Sequence, residues 1–428
     1  MNFQAIHFSV TRALPEPPLA RYASLAFSLS VLSFLFSIAV SQATLTLASL
    51  LFLAHLWRNK PSLRFPPIRL PLLLFCLTTI LSVLLSANIG AGVFAVRKLV
   101  LFVIILLTAN LIVSLPHLQF LLKGLFLEAG FVGLVAAGQV FRQYLQARTL
   151  APEDFYFTMT YTRATGFMGH WMDFSGQQML VLAMLGAFCL WRPKVKWIAL
   201  VGLVGVSLIL SFTRGAWIGS AAAVCLLLTL KRPRLLWGIP VLALGTWLVA
   251  PSLVRDRVTS ILHPSSDPSI AIRYEMFRVG WNMMRRHPGL GVGPNRVNEV
   301  YEEYLPAGVT PIEGYHGHLH NNPLQLAAER GLLCLGAWLW LMALWGRHFL
   351  GLRRRLGDSD YIAEGALAAW LALLVQGMFE FSFGSSEVLM LFLFLTTVPF
   401  VAAEIEKASS PQSGKESSAS SGGVARAE

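Results

Sequence analysis

YASLAFSLSVLSFLFSIAV at residues 22–40 passes through Ser41 straight into QATLTLASLLFLAHLW at 42–57, and the chain then turns basic at Arg58. Roughly 17 to 22 apolar residues suffice for a helix to cross a hydrocarbon core of about 30 Å. The first run has signal-peptide character but is too long and leads directly into a second, so it reads as the first of a series of spans. Further runs at 70–86, 99–115, 119–141, 175–191, 197–211, 215–230, 235–250, 331–346, 361–382 and 386–403 bring the expected number to about twelve. Composition agrees: 55% of residues are hydrophobic and 13% charged, with a mean hydropathy of +0.61, which demands lipid rather than one soluble core. The expected fold class is therefore an all-α polytopic membrane protein.

Sidedness follows from the basic loops, because Lys and Arg in short loops stay on the cytoplasmic side. Arg58, Lys60, Arg64 and Arg69 form one such loop, Arg192, Lys194 and Lys196 a second, Lys231, Arg232 and Arg234 a third, and Arg347, Arg353, Arg354 and Arg355 a fourth. Even numbers of spans separate them, with the N-terminus inside. These loops also account for the net charge of +12, so no nucleic-acid partner is needed. The four cysteines, Cys76, Cys189, Cys225 and Cys334, all fall in or beside spans and imply no disulfide framework in the outward loops.

Two outward segments are longer than connections require: 142–174 and 251–330. The chain divides into N-terminal spans at 1–194, a core at 195–350 containing the second loop, C-terminal spans at 351–404, and a tail at 405–428 whose composition predicts disorder in the cytoplasm. Within the second loop, Ile270, Tyr274, Phe277, Trp281 and Met284 share one helical face, as expected of a helix lying on the membrane surface. Asn322-Pro323 opens the next helix, placing His320 and Asn321 at a helix N-terminus.

Several cations stand on the outward side, where charge near lipid is costly and tends to mark function. Arg97 and Lys98 begin the fourth span, Arg163 lies in the first long loop, Arg214 occupies the turn Ser211-Phe212-Thr213-Arg214-Gly215, and Arg273 borders the surface helix. Guanidinium forks match phosphate oxygens; a headgroup contact or salt bridge is the plainer reading, least so for Arg214, wedged between two spans. His316, His318 and His320 alternate, but no carboxylate or cysteine cluster accompanies them at ligand spacing, so no metal site is expected. His320 is the better candidate for proton transfer, since neutral imidazole accepts a proton near pH 7. There is no Walker loop, dinucleotide fingerprint or nucleophile elbow, and no cofactor is implied.

Thr213-Arg214-Gly215, then Arg273 followed by His287-Pro288-Gly289-Leu290-Gly291-Val292-Gly293, then His320-Asn321 and Gly331, resemble the O-antigen ligase and polymerase superfamily of bacterial inner-membrane glycan transferases, the ligases in particular. Arg163-Ala164-Thr165-Gly166-Phe167 is similar to the arginine-bearing loop ahead of that family's core. The resemblance implies a fold similar to the C-type glycosyltransferases, a multi-pass inner-membrane location and a site facing the periplasm. It implies a donor glycan on undecaprenyl pyrophosphate and lipid A-core as acceptor, joined by inverting transfer without metal or ATP. His320, Arg214 and Arg273 would then be catalytic, and Arg163, Asn321, Arg97 and Lys98 substrate-binding. A polymerase using a second lipid-linked glycan is the near alternative. A secondary transporter, with Glu128 and Glu380 as membrane carboxylates, and a non-catalytic glycan-binding scaffold are the distant ones.

Overall fold

The computed structural model describes residues 14–151, 154–155, 158–159, 163–249, 252–262, 268–312 and 316–409. Among them there are helices and no strands. In chain order the longer ones are α1 (Pro18–Val31), α2 (Ile38–Asn59), α3 (Arg69–Leu84), α4 (Ile89–Leu111, with a 3-10 turn at Val100–Phe102), α5 (Leu115–Ala147), α6 (Trp171–Trp191), α7 (Val195–Leu210), α8 (Arg214–Lys231), α9 (Gly238–Val249), α10 (Ser252–Leu262), α11 (Pro268–Arg286), α12 (Asn322–Leu352), α13 (Asp360–Gln376) and α14 (Ser386–Ser409). Seven of the described helices, α2, α4, α5, α6, α8, α12 and α14, are long and apolar enough to cross a membrane. The other five expected spans fall on the shorter helices α1, α3, α7, α9 and α13. The protein is an all-α polytopic membrane protein.

α14 is the central post, and the most enclosed of the seven; α6, α12, α13 and the second half of α4 pack around it. Large apolar side chains such as Leu50, Leu73, Leu127, Leu134 and Leu244 remain outside on the bundle surface, where lipid replaces water as their solvent. The basic loops gather at one end. Arg64 lies 3.8 Å from Glu404, and Lys231 sits over the Trp191 ring at 3.0 Å. α14 continues to Ser409, so the segment expected to be a disordered tail begins as helix; residues 410–428 lie outside the described residues.

At the opposite end the glycine motif has a mechanical explanation. α12 is interrupted at Gly331, whose φ of +79° breaks the helical ladder. The 287–293 loop fills the break: Val292 N–H donates to Ala328 O, Gly293 N–H to Glu329 O, and Leu332 N–H to Pro288 O. Ser82 of α3 adds hydrogen bonds to Leu290 O and Glu329 O. Peptide groups freed in a membrane helix must find partners in protein, and only glycine permits this approach, since a Cβ on Gly331 would stand 1.9 Å from Gly289 O. Gly331→Ala is expected to destabilise the protein by more than the ~1–2 kcal/mol of a left-handed non-glycine residue. A thermal unfolding midpoint unchanged in detergent would contradict this.

The first long loop is pinned in a similar way. α5 runs into it as far as Ala147, and from α5 the Gln139 amide accepts from Thr165 N–H and Gly166 N–H and donates to Gly166 O. Gly166 takes a φ of +58°, and the Phe167 ring lies 5.4 Å from Phe36 and 6.2 Å from Phe131. The arginine-bearing motif is thus a short clip holding Arg163 in place.

α11 carries an aromatic stripe on its exposed side and a second apolar stripe against α12. Met276, Val279 and Met283 are fully buried against Leu319, Leu324 and Ala328, whereas Tyr274, Phe277 and Trp281 are exposed. Both sets follow helical spacing; the bulkier aromatic stripe dominates the sequence pattern, but the slimmer side beside Gly280 is the one that approaches α12 closely.

Candidate active site

A cavity of about 1050 Å³ opens at the end away from the basic loops. The N-termini of α6, α8, α12 and α14 all meet it, through Trp171, Arg214, Asn321 and Ser385, so four positive dipole ends favour an anion there. Lys98, Arg163, Arg214, Arg273 and Arg330 line it, against the carboxylates Asp173, Glu329 and Glu380. Aromatic and aliphatic side chains, among them Phe75, Phe102, Phe277, Phe379 and Leu389, supply the apolar wall. A polar, cationic centre with an apolar flank suits an anionic headgroup on a lipid.

Arg214 is the first residue of α8, after a turn in which Phe212 adopts a φ of +50°. Gly219 lets α8 sit tightly on α13, since a Cβ there would lie 2.8 Å from Ala372 O. Arg163 stacks over Trp171 at 5.1 Å. Arg273 Nη2 lies 3.9 Å from Glu380 Oε2.

His320 has a φ of +50°, uncommon outside glycine and typical of strained functional positions. Its Nδ1 is 3.1 Å from Glu380 Oε2. His318 Nε2 lies 3.4 Å from Glu380 Oε1, and Phe381 N–H donates to the same oxygen at 3.1 Å. Burial raises the Glu380 pKa, but the His320 hydrogen bond and the charges of His318, His320 and Arg273 more than offset this and hold it at about 2. Burial also pushes His318 down to about 4, against the pull of Glu380; being neutral near pH 7, His318 acts on Glu380 as an N–H dipole rather than a full charge. His170, which caps α6 by accepting from Met172 N–H, is likewise lowered by burial.

Of the residues singled out in the sequence, Lys98, Arg163, Arg214, Arg273, His320 and Asn321 line this cavity. Arg97 does not. It is exposed and lies over the Phe94 ring at 5.6 Å. The two neighbours sit mid-way along α4 rather than at its start, about 100° apart around the helix, and only Lys98 turns inward, donating to Gly384 O. Asn321, not Asn322, caps α12: its Oδ1 accepts from Leu324 N–H and its Nδ2 donates to Met378 O.

The histidines do acquire a carboxylate, from a segment sixty residues on. His318, His320 and Glu380 present one donor atom each within 4.8 Å of one another, the spacing of a cation site. Their polar atoms face each other as donors and acceptor, with the Arg273 guanidinium alongside, an arrangement that reads as a hydrogen-bonded hub. Glu128, the other carboxylate that a transporter reading would use, accepts from Leu35 N–H just beyond α1 and lies outside the cavity lining.

Sequence reasoning missed Glu380's place here, and also Arg330, Glu329, His170 and Asp173. Arg330 immediately precedes the break, buried over Phe75 and donating to Thr79 Oγ1; a charge inside an apolar helix was the available signal.

No curated protein matches the chain. Residues 198–339 match the family model described as O-antigen ligase. The matched segment runs from α7 into α12 and carries Arg214, Arg273, His320 and Gly331, while Lys98, Arg163 and Glu380 reach the cavity from outside it. The match supports a glycosyltransferase of the O-antigen ligase/polymerase type, and the chain carries, at residues 198–339, a domain of the O-antigen ligase family.

Proposed function

We propose that the protein transfers a glycan from undecaprenyl pyrophosphate to lipid A-core at the periplasmic face of the bacterial inner membrane, as an O-antigen ligase. The observation that carries this reading is the single cavity in which His320, Arg214 and Arg273 converge with Arg163 and Lys98 beside four helix N-termini. His320 accepts the proton of the acceptor hydroxyl as that oxygen attacks the anomeric carbon. The bond from that carbon to the donor's phosphate oxygen breaks, and its electron pair leaves with the pyrophosphate. Arg214 and Arg273 stabilise the growing negative charge, with Arg163 and Lys98 holding the donor. Direct displacement inverts the anomeric centre.

Purified protein given lipid-linked donor should glycosylate lipid A-core. Extension of a second lipid-linked glycan instead would make it a polymerase, and solute uptake by proteoliposomes without donor would make it a transporter. The chemistry assigned to these side chains requires neither metal nor ATP. Transfer is therefore expected to continue unchanged in excess EDTA; a rate that collapses and returns with added divalent ion would refute that part.

A further inference from the structure

We infer that Glu380 is a positioning residue: its carboxylate fixes His320 with Nδ1 as hydrogen-bond donor, leaving Nε2 as the atom that takes the acceptor's proton. The catalytic consequence rests on the glycan-transfer reading; the tautomer rests on geometry alone.

Glu380 is buried, and an ionised carboxylate only accepts hydrogen bonds. Oε2 faces His320 Nδ1 at 3.1 Å and Arg273 Nη2 at 3.9 Å, and Oε1 faces Phe381 N–H at 3.1 Å and His318 Nε2 at 3.4 Å. His318 is oriented from its other side, where Nδ1 accepts the backbone N–H of His320 at 3.3 Å; its ring proton therefore sits on Nε2, toward the carboxylate. By the same rule His320 carries its proton on Nδ1, and Nε2 keeps the lone pair.

The pairing is built into the backbone. Asn322 N–H donates to Gly377 O at 2.6 Å, Phe383 N–H to Asn322 Oδ1 at 3.0 Å, and Asn321 Nδ2 to Met378 O at 3.1 Å. These bonds tie the segment bearing His320 to the turn bearing Glu380, sixty residues apart in sequence. The other titratable groups facing the pair are His170, which caps α6, and Asp173 of α6, with Arg163 nearby.

When the acceptor oxygen bonds to the anomeric carbon, its proton passes to His320 Nε2 while the anomeric carbon–phosphate oxygen bond breaks toward the pyrophosphate. The imidazolium so formed keeps Nδ1–H against Glu380 and afterwards releases the Nε2 proton to solvent. An amide at position 380 removes the charge that selects this tautomer and stabilises the imidazolium.

The test uses the full chain in lipid nanodiscs, labelled with 15N-histidine, with His320→Ala identifying the His320 signal. Wild type should show His320 protonated at Nδ1. Glu380→Gln should lose that signature and, per folded molecule, lower kcat about 10²–10⁴-fold, with donor KM shifted far less. Glu380→Asp should recover part of the loss. A wild-type kcat per folded molecule in Glu380→Gln, or an unchanged His320 signature, overturns the inference. Should the wild-type chain transfer no glycan, the ligase reading falls while the nitrogen signature still decides the role of Glu380.

Discussion

Turnover about 10²–10⁴-fold below wild type is the expected result for His320→Ala, the range over which a positioned general base contributes. Alanine alone is an imperfect probe, because it must adopt the φ of +50° that His320 holds and its loss of activity would be mixed with strain. Asparagine tolerates the left-handed region better, so His320→Asn keeps the backbone near its native state while removing the proton acceptor. Both variants should bind lipid-linked donor with little change, because the anion contacts come from arginines on other segments. Wild-type kcat in His320→Asn would remove the residue from the chemistry; a donor affinity that falls in step with kcat would move it to binding.

Arg214→Ala should cost about 10²–10³-fold in kcat, the typical effect of removing one donor from a developing oxyanion. Its expected signature differs from that of His320, because a guanidinium that holds pyrophosphate in the ground state also weakens donor binding. Arg214→Lys is the informative companion. It retains the charge at the N-terminus of α8 but not the planar fork, and it should recover donor affinity more fully than turnover. Equal, complete recovery of both by lysine would mean that Arg214 contributes only charge. Folded yield separates these effects from damage to the α8–α13 contact.

The span pattern was legible because solvent class is written locally, in composition. The motif around Arg214 was legible for the same reason: a guanidinium in a glycine-containing turn between two apolar runs is anomalous wherever the chain goes next. Glu380 was not. It lies in a short turn between spans, and its meaning comes only from a partner sixty residues away. Arg97 and Lys98 show a second limit, since two adjacent cations look alike in sequence while helix rotation sends one to the cavity and the other to the surface. The α11 helix shows a third: two apolar stripes satisfy the same periodicity, and which one meets α12 depends on the neighbour's shape around Gly280.

The interruption of α12 at Gly331 also constrains how a substrate can reach the chemistry. Val292, Gly293 and Pro288 supply the partners of peptide groups that the helix itself has given up. Lifting that loop away would bare those groups to hydrocarbon or to a half-wet interface, at roughly 1–3 kcal/mol for each orphaned group. Three such bonds, reinforced by Ser82, make the 287–293 segment a welded seam between membrane and outward layers. Under the proposed glycan transfer, a bulky lipid-borne donor must therefore pass elsewhere along the rim, and a disulfide or crosslink tethering this seam should leave throughput intact.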